Sequence, residues 1–155
     1  MSVSIRSLTT HDAADVERLY GQTAAHHRSL GEESDFLFDA EVYLRDGFGE
    51  NPAFRGIGAV LDGKLAGYLL YAFEYDTGRA SRYLFVLDLL VDESVRQQGI
   101  GRALMNGASA ICRDAGCREL VWAVHEKNVD ALSFYHRLGA EEIRDLRFMR
   151  LQVDG

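Results

Sequence analysis

The chain has 155 residues, 47% of them hydrophobic and 26% charged, with 17 basic against 24 acidic side chains and a formal charge of −7 at pH 7. One globular domain fits that length, and a chain of this size buries enough surface to fold without disulfides or a structural metal. The acidic balance argues against a nucleic-acid partner, which demands clustered Lys and Arg, and the apolar runs Leu84–Leu87 and Leu89–Val91, broken by Asp88, are too short to cross a bilayer.

Met1-Ser-Val-Ser-Ile-Arg6 lacks the basic start, apolar stretch and small-residue cleavage site of a secretory leader, so a cytoplasmic protein is expected. Cys112 and Cys117 fit a reducing compartment better than a disulfide framework. Val3 to Leu8 reads as a short first strand. From Asp12, the residues Ala13, Val16, Leu19, Tyr20, Thr23 and Ala24 recur at three- and four-residue steps, which predicts a helix to about Arg28. A second short helix falls within 35–48, with Phe38, Val42 and Leu44 apolar, and the turn residues from Gly47 to Pro52 end it. Phe54–Leu61 and Leu65–Tyr75 flank Asp62-Gly63, a dipeptide suited to the positive φ angles of a tight hairpin.

Tyr83–Val91 is almost continuously apolar and is expected at the centre of the sheet, buried on both faces. A polar, glycine-containing segment follows, and then Ala103, Leu104, Ala108, Ile111 and Cys112 mark a helix that Gly116 closes. Glu119–Val124 reads as a strand. Asn128 caps a helix carrying Ala131, Leu132, Phe134, Tyr135 and Leu138, with Gly139 at its end, and 141–153 holds one or two further strands. Hairpins mixed with crossovers predict an α/β fold around a sheet of mixed direction.

Arg96-Gln97-Gln98-Gly99-Ile100-Gly101 lies between the apolar strand and a helix. Glycines there allow a ligand close to backbone N–H groups, and the helix start adds unpaired donors at the positive end of a dipole, which suits a pyrophosphate. The segment matches neither Gly-x-Gly-x-x-Gly nor the Gly-Lys-[Ser/Thr] loop, so a dinucleotide or Walker-type site is not indicated. Two glycines alone are equally explained by a sterically required turn.

The context says more. Arg96, Gly99 and Gly101 fit [Arg/Gln]-x-x-Gly-x-[Gly/Ala], preceded by Asp88-Leu89-Leu90-Val91 and followed by Asn128, Phe134-Tyr135 and Leu138-Gly139-Ala140. In these features the chain resembles the GNAT superfamily of acyl-CoA-dependent N-acyltransferases. The resemblance implies the GNAT fold, a mixed, mostly antiparallel sheet with about four flanking helices, and acetyl-CoA as co-substrate. It implies a pyrophosphate cradle formed by Arg96, Gln97, Gln98, Gly99, Ile100, Gly101 and Arg102, main-chain pairing of Leu89 and Val91 with the pantetheine arm, and a pantetheine contact from Asn128.

Acetyl transfer to an amine requires a neutral nucleophile, whereas a primary amine of pKa ~10 is protonated at pH 7. By motif position Tyr135 would protonate the departing sulfur. Without that resemblance, a lone tyrosine is more often a core or edge aromatic. Three groups are candidates for the base: Asp88, which interrupts an apolar strand where a carboxylate is costly unless paired or functional, Glu126 after the following strand, and Glu74 near the end of the preceding one.

Within the superfamily the chain resembles the spermidine/spermine (diamine) acetyltransferases and their thialysine-acetylating relatives, through Leu44-Arg-Asp-Gly-Phe-Gly-Glu50, Phe73-Glu-Tyr-Asp76 and the strand that holds Asp88. Those proteins are homodimers with the acceptor site near the interface, and a homodimer is expected here. The chain departs from them in carrying Leu87-Asp88 where they have Glu-Asp, and Ala25-His26-His27 where they have Lys-Tyr-Glu. The acceptor is therefore expected to be a small primary amine, either polyamine, diamine or amino-acid-like, bordered by His26, His27, Glu74 and Asp88. A protein or peptide acetyltransferase and a non-catalytic acyl-CoA-binding module are the alternatives. His26 and His27 point about 100° apart on a helix and no ligand cluster accompanies them, so no metal is expected.

Overall fold

The computed structural model describes residues 2–154. Five strands, β1 (Val3–Ser7), β2 (Arg55–Leu61), β3 (Lys64–Asp76), β4 (Ser81–Val91) and β5 (Leu120–Trp122), form one sheet in the order β1-β2-β3-β4-β5. All neighbours are antiparallel except β4 and β5, which are parallel. The β2–β3 hairpin turns through Asp62 and Gly63 at φ 53° and 77°, the left-handed pair that a two-residue turn between twisted strands requires.

Helices α1 (Ala13–Ser29) and α2 (Ala40–Gly47) cover one face of the sheet. Val16, Leu19 and Tyr43 pack there on Leu65, Tyr68, Leu70 and Leu90. Helix α3 (Ile100–Asp114) covers the other, with Ile100, Leu104, Met105 and Ala108 against Ile57, Leu69, Leu84 and Val86. Helix α4 (Val129–Arg137) joins the start of α3 to β5: Phe134 abuts Gly101, and the Tyr135 ring lies 4.9 Å from that of Trp122.

The central strand is β3, in place of the expected Tyr83–Val91. Residues 65–71 of β3 are buried on both faces, whereas β4 alternates between buried and partly open positions. The reason is the brevity of β5, which pairs only with Leu84, Phe85 and Val86 and leaves the outer edge of β4 uncovered beyond them.

Three helices end in the same way. Past α1, Gly31 (φ 81°) donates to Arg28 O at 3.0 Å and Glu32 to His27 O at 3.1 Å. Past α3, Gly116 donates to Arg113 O at 3.0 Å and Cys117 to Cys112 O at 2.9 Å; past α4, Gly139 donates to His136 O at 3.0 Å and Ala140 to Tyr135 O at 3.1 Å. This is the Schellman arrangement, in which a left-handed residue folds the chain back so that the side chain after it meets the last helical turn.

That geometry also brings the cysteines together: Cys117 folds onto Cys112, with their Cα atoms 5.1 Å apart. The expected strands in 141–153 are also absent. Residues 141–154 are exposed and irregular, with no ladder partner among the described residues to hold them extended in a sheet. No helix among the described residues is long and apolar enough to cross a membrane.

Candidate active site

Where β5 stops short, β4 and α4 diverge around a cavity of about 780 Å3, a size common for small-molecule sites. Leu89, Leu90 and Val91 form one wall, the glycine loop its floor, Asn128 and Tyr135 the opposite wall, and Thr23, His26 and His27 of α1 its upper rim. The unpaired edge of β4 offers main-chain N–H and C=O groups to anything extended beside it.

The loop is fixed at its start by Asp92. Its amide donates to Ala66 O at 2.8 Å, and its carboxylate accepts from Arg18 Nη1 at 2.7 Å, from the Ser94 amide and hydroxyl at 3.1 and 2.9 Å, and from Gln22 at 3.4 Å. Burial opposes the charge, yet these donors together hold the carboxyl far below the ordinary carboxylate range. Arg96 Nε then reaches back to Val91 O at 3.4 Å.

Gln97 and Gly99 take φ 65° and 80°, and Gly99 caps α3 without a side-chain acceptor. The amides of the first helical turn therefore have no partner within the helix and point outward with the positive end of its dipole. The two motif glycines serve different ends. At Gly99 a Cβ would meet nothing within 4 Å, so its role is conformational; at Gly101 a Cβ would lie 3.0 Å from Phe134 Cζ, so its smallness lets α4 approach α3. Arg102 and Arg137 add cationic side chains to the lining. Asn128 uses its Oδ1 to cap α4, accepting from Ala131 N at 3.2 Å.

Tyr135 is partly buried, its ring 5.4 Å from that of Phe134. Burial, and after it the charge of Asp88, raises its phenol above the ordinary value, so it carries its proton at neutral pH. Asp88 owes its position to a bulge. Tyr71 pairs with Val86 and Leu70 with Asp88, so Leu87 has no partner and the alternation reverses. Val86 faces α3, whereas Asp88, opposite Leu70, faces α1 and α2. Burial first, and the charge of Glu32 second, push the Asp88 carboxyl up to about 6.

The phenols of Tyr20 and Tyr68 are raised by burial and then by Asp88. Tyr68 is wholly buried and its hydroxyl has no hydrogen-bond partner among the described residues. Glu32 does not stand out in the sequence, because a helix-ending turn rather than spacing folds it back onto His27, and Arg137 reaches the cavity as part of α4.

The cavity thus gathers His26, His27, Leu89, Val91, Arg96, Gln97, Gly99, Ile100, Gly101, Arg102, Asn128 and Tyr135. Four expected residues lie outside its lining, among them Asp88, which faces α1 and α2 from β4. Glu74 is exposed on β3 opposite Tyr83, near the far end of the hairpin; Glu126 is exposed in the turn that Asn128 N closes onto His125 O; and Gln98 projects from the loop into solvent. A second cavity, of about 850 Å3, lies at that far end among Arg79, Arg82, Arg118, Glu119, Ile143 and Leu146. It holds neither the glycine loop nor Tyr135.

Residues 16–140 match the model of the acetyltransferase (GNAT) family. The thialysine N-epsilon-acetyltransferase of Sus scrofa is 31% identical over 153 residues, covering 93% of this chain and 87% of that protein. The spermine/spermidine N(1)-acetyltransferase of Bacillus subtilis is 22% identical over 151 residues, covering 96% and 93%. Among solved structures, an integron cassette protein from the mobile metagenome of V. cholerae superposes with a TM-score of 0.81 at 26% identity, covering 99% of this chain and 94% of that one. The strand-loop-helix cavity and these likenesses agree, and the chain belongs to the GNAT family of acetyltransferases.

Proposed function

We propose that the protein transfers an acetyl group from acetyl-CoA to a primary amine of a small molecule, by direct attack with both substrates bound. One observation carries this reading: the outward amides of the α3 start, the unpaired edge of β4 and the protonated phenol of Tyr135 all border one cavity. The names of the relatives, thialysine and spermine/spermidine acetyltransferases, support a short aliphatic amine as acceptor.

In this reading the loop from Arg96 to Arg102 holds the pyrophosphate through its amides, with Arg102 and Arg137 adding charge. Leu89 and Val91 pair with the pantetheine arm through the open edge of β4. Asp88, ionised above about pH 6, accepts the proton of the attacking amine. Tyr135 gives its proton to the departing sulfur. His26 and His27 border the acceptor.

We read residues 1–155 as one GNAT domain that acts in the cytoplasm as a homodimer. Two features support the dimer: the outer edge of β5 pairs with no other strand among the described residues, and Phe148, Met149, Leu151 and Val153 are 83–90% exposed.

Release of free CoA from acetyl-CoA, followed with a thiol reagent across polyamines, diamines, amino acids, thialysine and peptides, tests the reading. Turnover is expected with short aliphatic amines. Turnover with peptides alone would favour a protein acetyltransferase, and none with any amine would favour a binding module.

A further inference from the structure

Two parts of the cavity come from segments far apart in the chain: the upper rim of Thr23, His26 and His27 from α1, and the wall and floor from Leu89 to the glycine loop. One side chain outside the lining joins them. Gln22 directly precedes Thr23 and lies one turn before His26. Its Oε1 accepts from the Glu93 amide at 3.0 Å, and its Nε2 donates to Asp92 Oδ1 at 3.4 Å. Both ends of one side-chain amide are thus engaged by the two residues that follow Val91, a task that needs a donor and an acceptor on the same neutral group.

This clamp matters more to the rim than to the loop. The loop start has further anchors, since Asp92 also donates to Ala66 O and accepts from Arg18 and from the Ser94 amide and hydroxyl. Arg18, one turn before Gln22 on the same stripe of α1, ties the helix to Leu65 O at 3.2 Å. Beyond Gln22, by contrast, Ala24 alone among the described residues of α1 is buried. The turns that carry His26 and His27 therefore take less of their position from packing and more from the Gln22 contacts.

We propose that Gln22 is a positioning residue for acetyl transfer: by holding α1 to the start of the loop, it sets the distance between an amine bordered by the α1 rim and a thioester lying along β4. The assignment rests on the proposed acetyl transfer and adds to it a residue that touches neither substrate. A displacement of ~1 Å between reacting groups can cost ~10²-fold in rate, so a contact at this remove from the chemistry is enough to matter.

The test compares two variants with the unaltered protein. Gln22→Met keeps the length of the side chain and removes both hydrogen bonds; Gln22→Glu keeps its shape and sets a carboxylate against Asp92. Calorimetry gives the affinity for acetyl-CoA, and CoA release is followed with thialysine, or with whichever amine of the panel turns over fastest. For Gln22→Met, kcat/KM for the amine is expected to fall ~10-fold, while the Kd for acetyl-CoA stays within about twofold. For Gln22→Glu the loss, taken as a ratio to the unaltered protein at each pH, is expected to be as large at pH 8 and to shrink toward pH 5. A protonated carboxyl again donates to Asp92 and accepts from the Glu93 amide, and Asp92 itself stays ionised over that range. The charged groups around the introduced carboxyl are Asp92, Glu93 and Arg18, with Asp15 beyond Arg18. A merely structural role would lower acetyl-CoA affinity and amine turnover together and show no recovery on acidification. That pattern, or an unchanged kcat/KM in Gln22→Met, overturns the assignment. If the unaltered protein releases no CoA with any amine, the proposed activity itself fails.

Discussion

Asp88 lies opposite Leu70 in the β3–β4 ladder, one residue out of step with the pair Tyr71–Val86, because Leu87 is skipped between them. With unbroken alternation Asp88 would share the face of Leu84 and Val86 and sit against α3, in the larger apolar core. The bulge turns a residue that would damage the core into one that faces α1 and α2.

From this follows a pH dependence. Asp88 accepts a proton only as a carboxylate, and its carboxyl is pushed up to about 6, so kcat/KM rises as pH increases through that value. Asp88→Asn removes this limb and lowers turnover by roughly 10²–10⁴. A group whose folded value is raised binds more protons folded than unfolded, so ionising Asp88 lowers stability between the ordinary value of 3.8 and about 6. Asp88→Asn should accordingly melt higher than the unaltered protein at pH 7. Paired pH–rate profiles and melting curves check both effects.

Gly99 and Gly101 fail differently when replaced by alanine. Gly99→Ala meets open space but must hold φ 80°, and should cost about 1 kcal/mol with acetyl-CoA binding weakened where the loop shifts. Gly101→Ala places a methyl 3.0 Å from Phe134 Cζ, so α4 must give way and carry Tyr135 with it. Turnover should fall more than acetyl-CoA affinity in that variant. Calorimetry alongside steady-state kinetics separates the two.

Asp92 ties the loop to α1 through Arg18, at 2.7 Å, with only 7% of its surface exposed. Asp92→Asn should cost ~1–3 kcal/mol at pH 7, because the cationic partner loses its counter-charge. The Asp92 carboxyl is held low, so its contribution is present above 3.8 and fades as pH falls below that value. Urea titrations at pH 7 and pH 3 should show the difference between the two proteins shrinking on acidification.

Residues 141–154 expose apolar side chains beside a sheet edge left open at β5. A chain ending at Ala140 is expected to have half the mass of the full chain by light scattering, with the cavity lining of α3 and α4 unaltered. Equal masses would contradict the dimer reading.

Much of this was legible in the sequence. Asp62-Gly63 fixes a hairpin because left-handed angles are cheap there, and Asn128, Gly116 and Gly139 mark helix ends at the residues where the structure has them. The glycine loop is legible because its residues are contiguous in the chain, whereas Tyr135, which borders the same cavity, stands 34 residues beyond Gly101. What escaped depends on contacts between distant segments. The central position of β3 follows from how short β5 is, which apolar content does not reveal. The approach of Cys117 to Cys112 and the place of Glu32 both follow from Schellman turns, whose fold-back brings residues five apart in the chain together. Glu74 and Glu126 have the right chemistry for a base, yet neither topology nor turn carries them to the cavity.

The most direct test is the steady-state rate of CoA release by Tyr135→Phe against the unaltered protein, at saturating acetyl-CoA with a diamine acceptor. A phenol that protonates the leaving sulfur predicts a kcat reduced ~10²-fold or more with the KM for acetyl-CoA unchanged. Equal turnover in the two proteins would contradict the account.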